Sequence, residues 1–234
     1  MKVIGTISRY YHGPLYKSAY VKEKTVQLAK ESGMMLVSLP VTKDDFIIDD
    51  ILLTLDGLYI SGDEEVNPFL FSENPIDNNT KLNLLQDSVE LLYIERALKY
   101  NIPILATGRG LLLLNIYFGG NLFRSLEIEL DKNIYHRGES EKTYHFITLK
   151  NRSLLKDLFQ SPRLVVPSNH KQAIKELGEK MRVTAWSYDG IVEAVEPLDE
   201  SFNYLGLQFN LEDFEEDQGI RILKEFFKRE GKDD

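Results

Sequence analysis

The order of apolar and polar positions divides the chain into two halves with different rhythms. In the first half, short apolar runs alternate with longer segments of helical period. Residues 2–7 predict a strand. Residues 16–32 predict a helix, with Ala19, Val26 and Ala29 among its apolar positions and Gly33 as its stop. Residues 34–39 predict a second strand ended by Pro40, residues 44–55 a short helix, and residues 57–60 a third strand. Residues 67–79, rich in Asn, Pro and Asp, predict a surface loop. Residues 82–100 carry the clearest helical pattern: Val89, Leu92, Ala97 and Leu98 alternate with Asp87, Glu90, Glu95 and Lys99.

The next stretch organises the chain. Residues 103–106 are a short apolar run of the kind a buried parallel strand shows, and Thr107-Gly108-Arg109-Gly110 breaks it. Residues 111–117 then continue as an apolar helix until Gly119-Gly120 stops it. Strand, sharp glycine turn and immediate helix make an elbow, which lifts one residue above the end of a sheet beside the positive end of a helix. A nucleophile often occupies that apex. Here the apex is Gly108, which has no side chain.

Beyond residue 120 the rhythm changes. Residues 143–149, 163–166, 182–187, 191–195 and 204–209 are strand-like, with few long helices between them. Residues 213–228 close the chain as an amphipathic helix with Ile220, Leu223 and Phe227 on one side. The pattern predicts an α/β fold with a mainly parallel sheet and an antiparallel extension. No linker or repeat divides it, so one domain over residues 1–234 is expected.

Composition narrows the function classes. An apolar content of 43% with 28% charged residues is that of an ordinary soluble domain. A net charge of −9, with Lys and Arg scattered singly, argues against a nucleic-acid partner. No run of 18 apolar residues and no signal-like segment is present, so no membrane association and a cytoplasmic location are expected. The absence of cysteine removes disulfides, thiolate metal sites and thiol catalysis. No cofactor is expected. No metal is expected either, because His12, His136, His145 and His170 show no ligand spacing along the sequence.

Several motifs carry a resemblance when taken in order. They are Asp56-Gly-Leu-Tyr-Ile-Ser-Gly-Asp63, Val66-Asn-Pro68, the Asp87…Glu90 helix start, and the elbow followed by Leu113-Leu114-Asn115 and Gly119-Gly120. His136, His145, Val166-Pro-Ser-Asn-His-Lys-Gln-Ala-Ile174, Asp189-Gly190…Glu193-Ala194 and Gly206-Leu-Gln-Phe-Asn-Leu-Glu212 continue the match. With them the chain resembles class I glutamine amidotransferase-like proteins, most closely the gamma-glutamyl-gamma-aminobutyrate hydrolase branch. The resemblance implies a flavodoxin-like three-layer α/β/α sandwich around a central, mainly parallel sheet. It also implies amide hydrolysis by a Cys–His–Glu triad. The positions matching that triad are Gly108, Asn210 and Glu212, so two of the three are lost and no functional catalytic residue is expected.

Elementary chemistry agrees. Amide hydrolysis through a covalent intermediate needs a nucleophile activated by a base. Gly108 has no atom to attack with, and Asn210 cannot take up a proton near neutral pH. Thr107 is the remaining candidate nucleophile, but it precedes the apex and should point away from the pocket. Gly62 persists in the oxyanion-hole segment, where Asp63 and Glu64 would repel an anionic intermediate.

The candidate ligand-binding residues are Gly62, Asp63, Arg109, Gly110, His170 and Gln172. Arg109 has two readings, a ligand carboxylate or an internal partner such as Glu90. His170 also has two, ligand contact or loop anchoring, while His136 and His145 read as structural. Backbone N–H groups at the elbow helix offer a place for a small anion. These readings point to a pseudoenzyme that binds a small-molecule ligand or a protein partner at the old cleft. The alternative is a gamma-glutamyl amide hydrolase or glutamine amidotransferase working through a non-standard site.

Overall fold

The backbone of the structure, a computed structural model, is described for residues 1–12, 17–76, 83–130, 134–138 and 143–229. Its first half alternates as the apolar rhythm requires. Strand β1 (Val3–Ile7) leads into a hairpin of β2 (Arg9–His12) and β3 (Lys17–Tyr20), then α1 (Glu23–Glu31) and β4 (Met35–Leu39). Helix α2 (Asp45–Leu52), β5 (Gly57–Ile60), α3 (Leu84–Lys99), β6 (Ile104–Thr107) and α4 (Arg109–Tyr117) follow. The second half holds β7 (Asn121–Phe123), α5 (Leu126–Glu129), β8 (Thr143–Leu149), α6 (Leu154–Phe159) and β9 (Arg163–Ser168). It ends with β10 (Ala173–Glu176), β11 (Met181–Ser187), β12 (Val192–Pro197), β13 (Tyr204–Leu207) and α7 (Gln218–Arg229).

Nine strands form one sheet in the order β4-β1-β5-β6-β13-β12-β11-β8-β9. The pairings from β4 through β13 are parallel, and those from β13 to β9 are antiparallel. The parallel strands are covered on both faces, which explains their unbroken apolar runs. In β5, Leu58 and Ile60 enter the core beneath α2, α3 and α4, while Tyr59 enters the core shared with α1, α6 and α7. This is the expected three-layer α/β/α arrangement with its antiparallel extension.

Two expectations are corrected. The helix predicted over residues 16–32 begins only at Glu23, because residues 17–20 pair with β2 instead. Ala19 fits both periods, and Val26 is half exposed rather than core. In the predicted surface loop, Asn67, Pro68 and Phe71 are buried around a single 3-10 turn, Pro68–Phe71; residues 77–79 of that loop lie outside the described residues. In α3, the polar positions Asp87 and Glu90 are buried. They pair with arginines, as described next.

Candidate functional site

Site residues gather where open α/β sheets place them, beyond the carboxyl ends of the central strands. Strand β6 ends at Thr107, and Gly108 caps α4 with φ 53° and ψ −118°. Only glycine adopts that backbone without strain. The Gly108 N–H donates to the Leu207 carbonyl at 2.8 Å, and the Arg109 N–H donates to the Gly62 carbonyl at 3.0 Å. In elbow hydrolases the N–H following the nucleophile is an oxyanion donor. Here it is spent on Gly62. The anion site expected at this helix start is therefore closed at its leading donor.

Space at the apex is closed as well. A Cβ on residue 108 would lie 2.5 Å from the Gly62 carbonyl oxygen and 2.7 Å from Asn210 Oδ1. Asn210 is held from both ends: its Oδ1 accepts from Thr107 Oγ1 at 3.1 Å, and its Nδ2 donates to Asp63 Oδ1. Thr107 is fully buried, and its Oγ1 also lies 3.3 Å from Tyr59 Oη. Its hydroxyl thus works inside the protein and not in the cleft. Glu212 accepts from Tyr59 Oη at 2.5 Å and from Thr25 Oγ1 at 3.1 Å. It anchors these two hydroxyls. Burial and the neighbouring Glu212 hold the Tyr59 hydroxyl well above its ordinary pKa.

Arg109 belongs to a buried charge network. Its Nε donates to Glu90 Oε2 at 2.7 Å, its Nη1 to the Glu65 carbonyl at 3.1 Å, and its Nη2 pairs with Asp87. Glu90 also accepts from Arg9 Nη1 at 2.7 Å. Burial alone would lower the Arg109 pKa, but Glu90 and Asp87 outweigh it and raise it. Burial raises the Asp87 carboxyl despite the pull of Arg109. Of the two readings of Arg109, its contacts fit the internal pairing, and the residue also borders the cleft. Arg9 itself had no sequence signal, since it lies in a hairpin that the pattern did not predict.

Gly110 and Gln172 also make internal contacts. Gly110 is buried because its Cα faces the Ile60 backbone, where a Cβ would overlap the carbonyl oxygen. It lets α4 approach β5 and does not line the cleft. Gln172 clamps Val66, accepting from its N–H at 2.7 Å and donating to its carbonyl at 2.9 Å. It does border the cleft, as do Gly62, Asp63 and His170, around a cavity of about 280 Å³. Asp63 forms an ion pair with Lys22. Glu64 pairs with Arg9 at 3.4 Å and Glu65 with Lys171 at 3.3 Å, so the acidic rim is largely neutralised from within.

Beside the cleft the structure assembles a group that sequence spacing did not foresee. His136, His145, His170 and Glu193 present one nitrogen or oxygen each, all within 4.8 Å of one another. Glu193 Oε1 lies 3.7 Å from His136 Nδ1, 3.4 Å from His145 Nε2 and 3.9 Å from His170 Nε2. The other ring nitrogens face outward, His136 Nε2 to Asp189 Oδ2 at 3.0 Å, His145 Nδ1 to the Phe146 carbonyl at 3.4 Å, and His170 Nδ1 to the Gln172 carbonyl at 3.0 Å. Burial raises the Glu193 carboxyl well above its usual range, and Asp189 adds to the effect. Burial and His136 lower the His145 pKa. Burial would raise Asp189, but hydrogen bonds from Ser187 and His136 lower it. Spacing along the sequence showed no metal site, yet the fold brings three of the histidines together with Glu193 as a group that could ligate a metal ion. The signal was available, because all four fall in the motifs that carry the resemblance. The side chain of His12 lies outside the described residues.

Fold, elbow and cleft together define an α/β protein of the glutamine amidotransferase-like class. The Peptidase C26 family profile matches residues 4–212, and the chain belongs to that family. It is 33% identical over 207 residues to the glutamine amidotransferase-like protein YvdE of Lactococcus lactis, covering 84% of this chain and 85% of that one. It is 31% identical over 202 residues to the gamma-glutamyl-gamma-aminobutyrate hydrolase PuuD of Escherichia coli, covering 82% and 78%. The crystal structure of a glutamine amidotransferase from Thermotoga maritima superposes with a TM-score of 0.65 at 14% identity, over 98% and 97% of the two chains. That likeness supports the fold alone. No helix among the described residues is long and apolar enough to cross a membrane.

Proposed function

We propose that this chain is a non-hydrolytic member of its family, a pseudoenzyme that holds a small polar ligand in the cleft without cleaving it. The observation that carries this reading is the closed elbow. The apex is glycine, the Arg109 N–H is bonded to the Gly62 carbonyl, and Asn210 fills the space a nucleophile side chain would need. In a serine protease, loss of nucleophile or base costs roughly 10⁶-fold in turnover. Here both positions are changed, and the donor that would stabilise the intermediate is occupied. Hydrolysis through Thr107 finds no support, because its hydroxyl is fully buried and bonded to Asn210.

The cleft retains polar groups of both signs, including Asp63, Lys171 and Arg137. A gamma-glutamyl compound, with amine and carboxylate ends, suits such a lining, and the printed name of the Escherichia coli relative supplies the first probe. The test measures ammonia and glutamate release from glutamine and gamma-glutamyl-gamma-aminobutyrate. Wild type, Gly108→Cys, Asn210→His and the double variant are compared. No release is expected from the wild type or either single variant. Turnover by the wild type overturns the proposal. Thermal melting with the same two compounds reads binding, and a concentration-dependent rise in Tm without turnover is the expected result.

A further inference from the structure

We propose that His136, His145, His170 and Glu193 form a closed, structural site for one divalent first-row transition metal, with zinc the best match. The inference does not rest on the reading of the elbow, since none of the four belongs to it.

Proton bookkeeping comes first. Two outward ring nitrogens lie 3.0 Å from an acceptor, a carboxylate for His136 and a backbone carbonyl for His170, while His145 Nδ1 faces the Phe146 carbonyl more loosely at 3.4 Å. An acceptor within hydrogen-bond range fixes the proton on the nitrogen it faces, so in the neutral His136 and His170 rings the inward nitrogen carries the lone pair. These two nitrogens and His145 Nε2 are all aimed at one carboxylate oxygen. Acceptors gathered around an acceptor repel one another unless something positive lies among them.

Distance decides between a shared proton and a metal ion. Hydrogen bonds of this type run about 2.7–3.2 Å. The separations here are 3.4, 3.7 and 3.9 Å, beyond that range. A tetrahedral zinc ion with bonds of about 2.0–2.2 Å places its ligand atoms roughly 3.3–3.5 Å apart. The three distances to Glu193 need a contraction of at most a few tenths of an ångström, and the widest separation in the set, 4.8 Å, needs the rings to close in by about 1 Å around an ion. Imidazole nitrogen with one carboxylate is a donor set suited to zinc and its neighbours, and poorly suited to magnesium or calcium. The outward partners are those that orient metal-binding histidines, and the His136–Asp189 pair is a carboxylate–histidine arrangement.

Four protein donors complete the tetrahedron, which marks a structural rather than a catalytic ion. The donors come from segment 134–138, from β8, from the turn after β9 and from β12. The ion would tie these pieces together behind the cleft wall. His170 borders the cleft directly, so the metal would also set the position of the wall built by residues 167–172.

The test uses the full chain, stripped with chelator, equilibrated with Zn²⁺ or Mg²⁺, desalted and analysed for bound metal. Expected are about one zinc per chain, negligible magnesium, and a higher Tm with zinc alone. Co²⁺ loading should give the visible absorption of a tetrahedral nitrogen–oxygen site. Glu193→Gln and His145→Gln should abolish stoichiometric retention. Asp189→Asn, which leaves all four donors in place, should weaken it about 10–100-fold and guards against variants that fail to fold. A folded, stripped wild type that takes up no zinc overturns the proposal. So does zinc retained equally by all variants, which identifies an adventitious ion only.

Discussion

The elbow and the histidine cluster both border the cleft, and they treat their polar atoms in opposite ways. At the elbow, donors meet acceptors: Arg109 with Glu90 and Asp87, Asn210 with Thr107 and Asp63, Tyr59 with Glu212. Such a network is satisfied largely within the protein. In the cluster, ring nitrogens converge on a carboxylate oxygen at distances too long for direct hydrogen bonds. The elbow thus spends its polar side chains inside the protein, while the cluster is where we propose an added cation.

The largest expected effect breaks the elbow. Arg109→Leu leaves Asp87 and Glu90 buried with less compensation, and should cost about 3–5 kcal/mol in urea denaturation. A loss under about 1 kcal/mol would show that the network does not brace the elbow. Next comes Gly108→Ala, which adds a Cβ at a positive φ and against the Gly62 carbonyl. It should cost about 1–3 kcal/mol, read as a lowered urea midpoint. An unchanged midpoint would mean that the apex is roomier than its geometry indicates.

Tyr59→Phe sharpens the contrast through pH. The Tyr59 hydroxyl has a folded pKa raised above its unfolded value of about 10. Its share of stability is therefore fully present below pH 10 and is lost as pH rises through the raised value. Urea midpoints at pH 7 and 11 should fall more steeply for wild type than for Tyr59→Phe; parallel slopes would remove Tyr59 as the cause. At pH 7 the substitution itself should cost about 1.5–3 kcal/mol, because the hydroxyl bonds a carboxylate. The smallest effect belongs to Lys22→Ala at the rim. Its pair with Asp63 is part-exposed and should contribute less than about 1 kcal/mol, shrinking with added salt in thermal melts.

The elbow was legible because strand, glycine and helix are contiguous, so a local pattern announces a local geometry. The pairing of Arg109 with Glu90 could be named as one of two readings, but its depth could not. Helical periodicity assigns Asp87 and Glu90 to the solvent side, and only the opposing arginines reverse that. The cluster escaped a spacing rule because its members run from residue 136 to residue 193 and meet only through the sheet. The β2–β3 hairpin escaped because residues 17–20 satisfy helix and strand periods equally, and cross-strand pairing decides between them.

The position of β13 has a consequence for how the chain is made. It is the last strand in sequence, yet it lies between β6 and β12, with Tyr204 beside Ile104. During synthesis, β5 and β6 emerge long before the strand that must cover their neighbour's open edge. Until residues 204–207 arrive, β6 and β12 each present an unpaired edge, and the two halves of the sheet are not joined. Pairing this distant in sequence is slow to form and leaves such edges open to other chains. Folding of this protein should therefore be completed only after translation has passed β13, and nascent chains arrested before that point should be the most prone to aggregate.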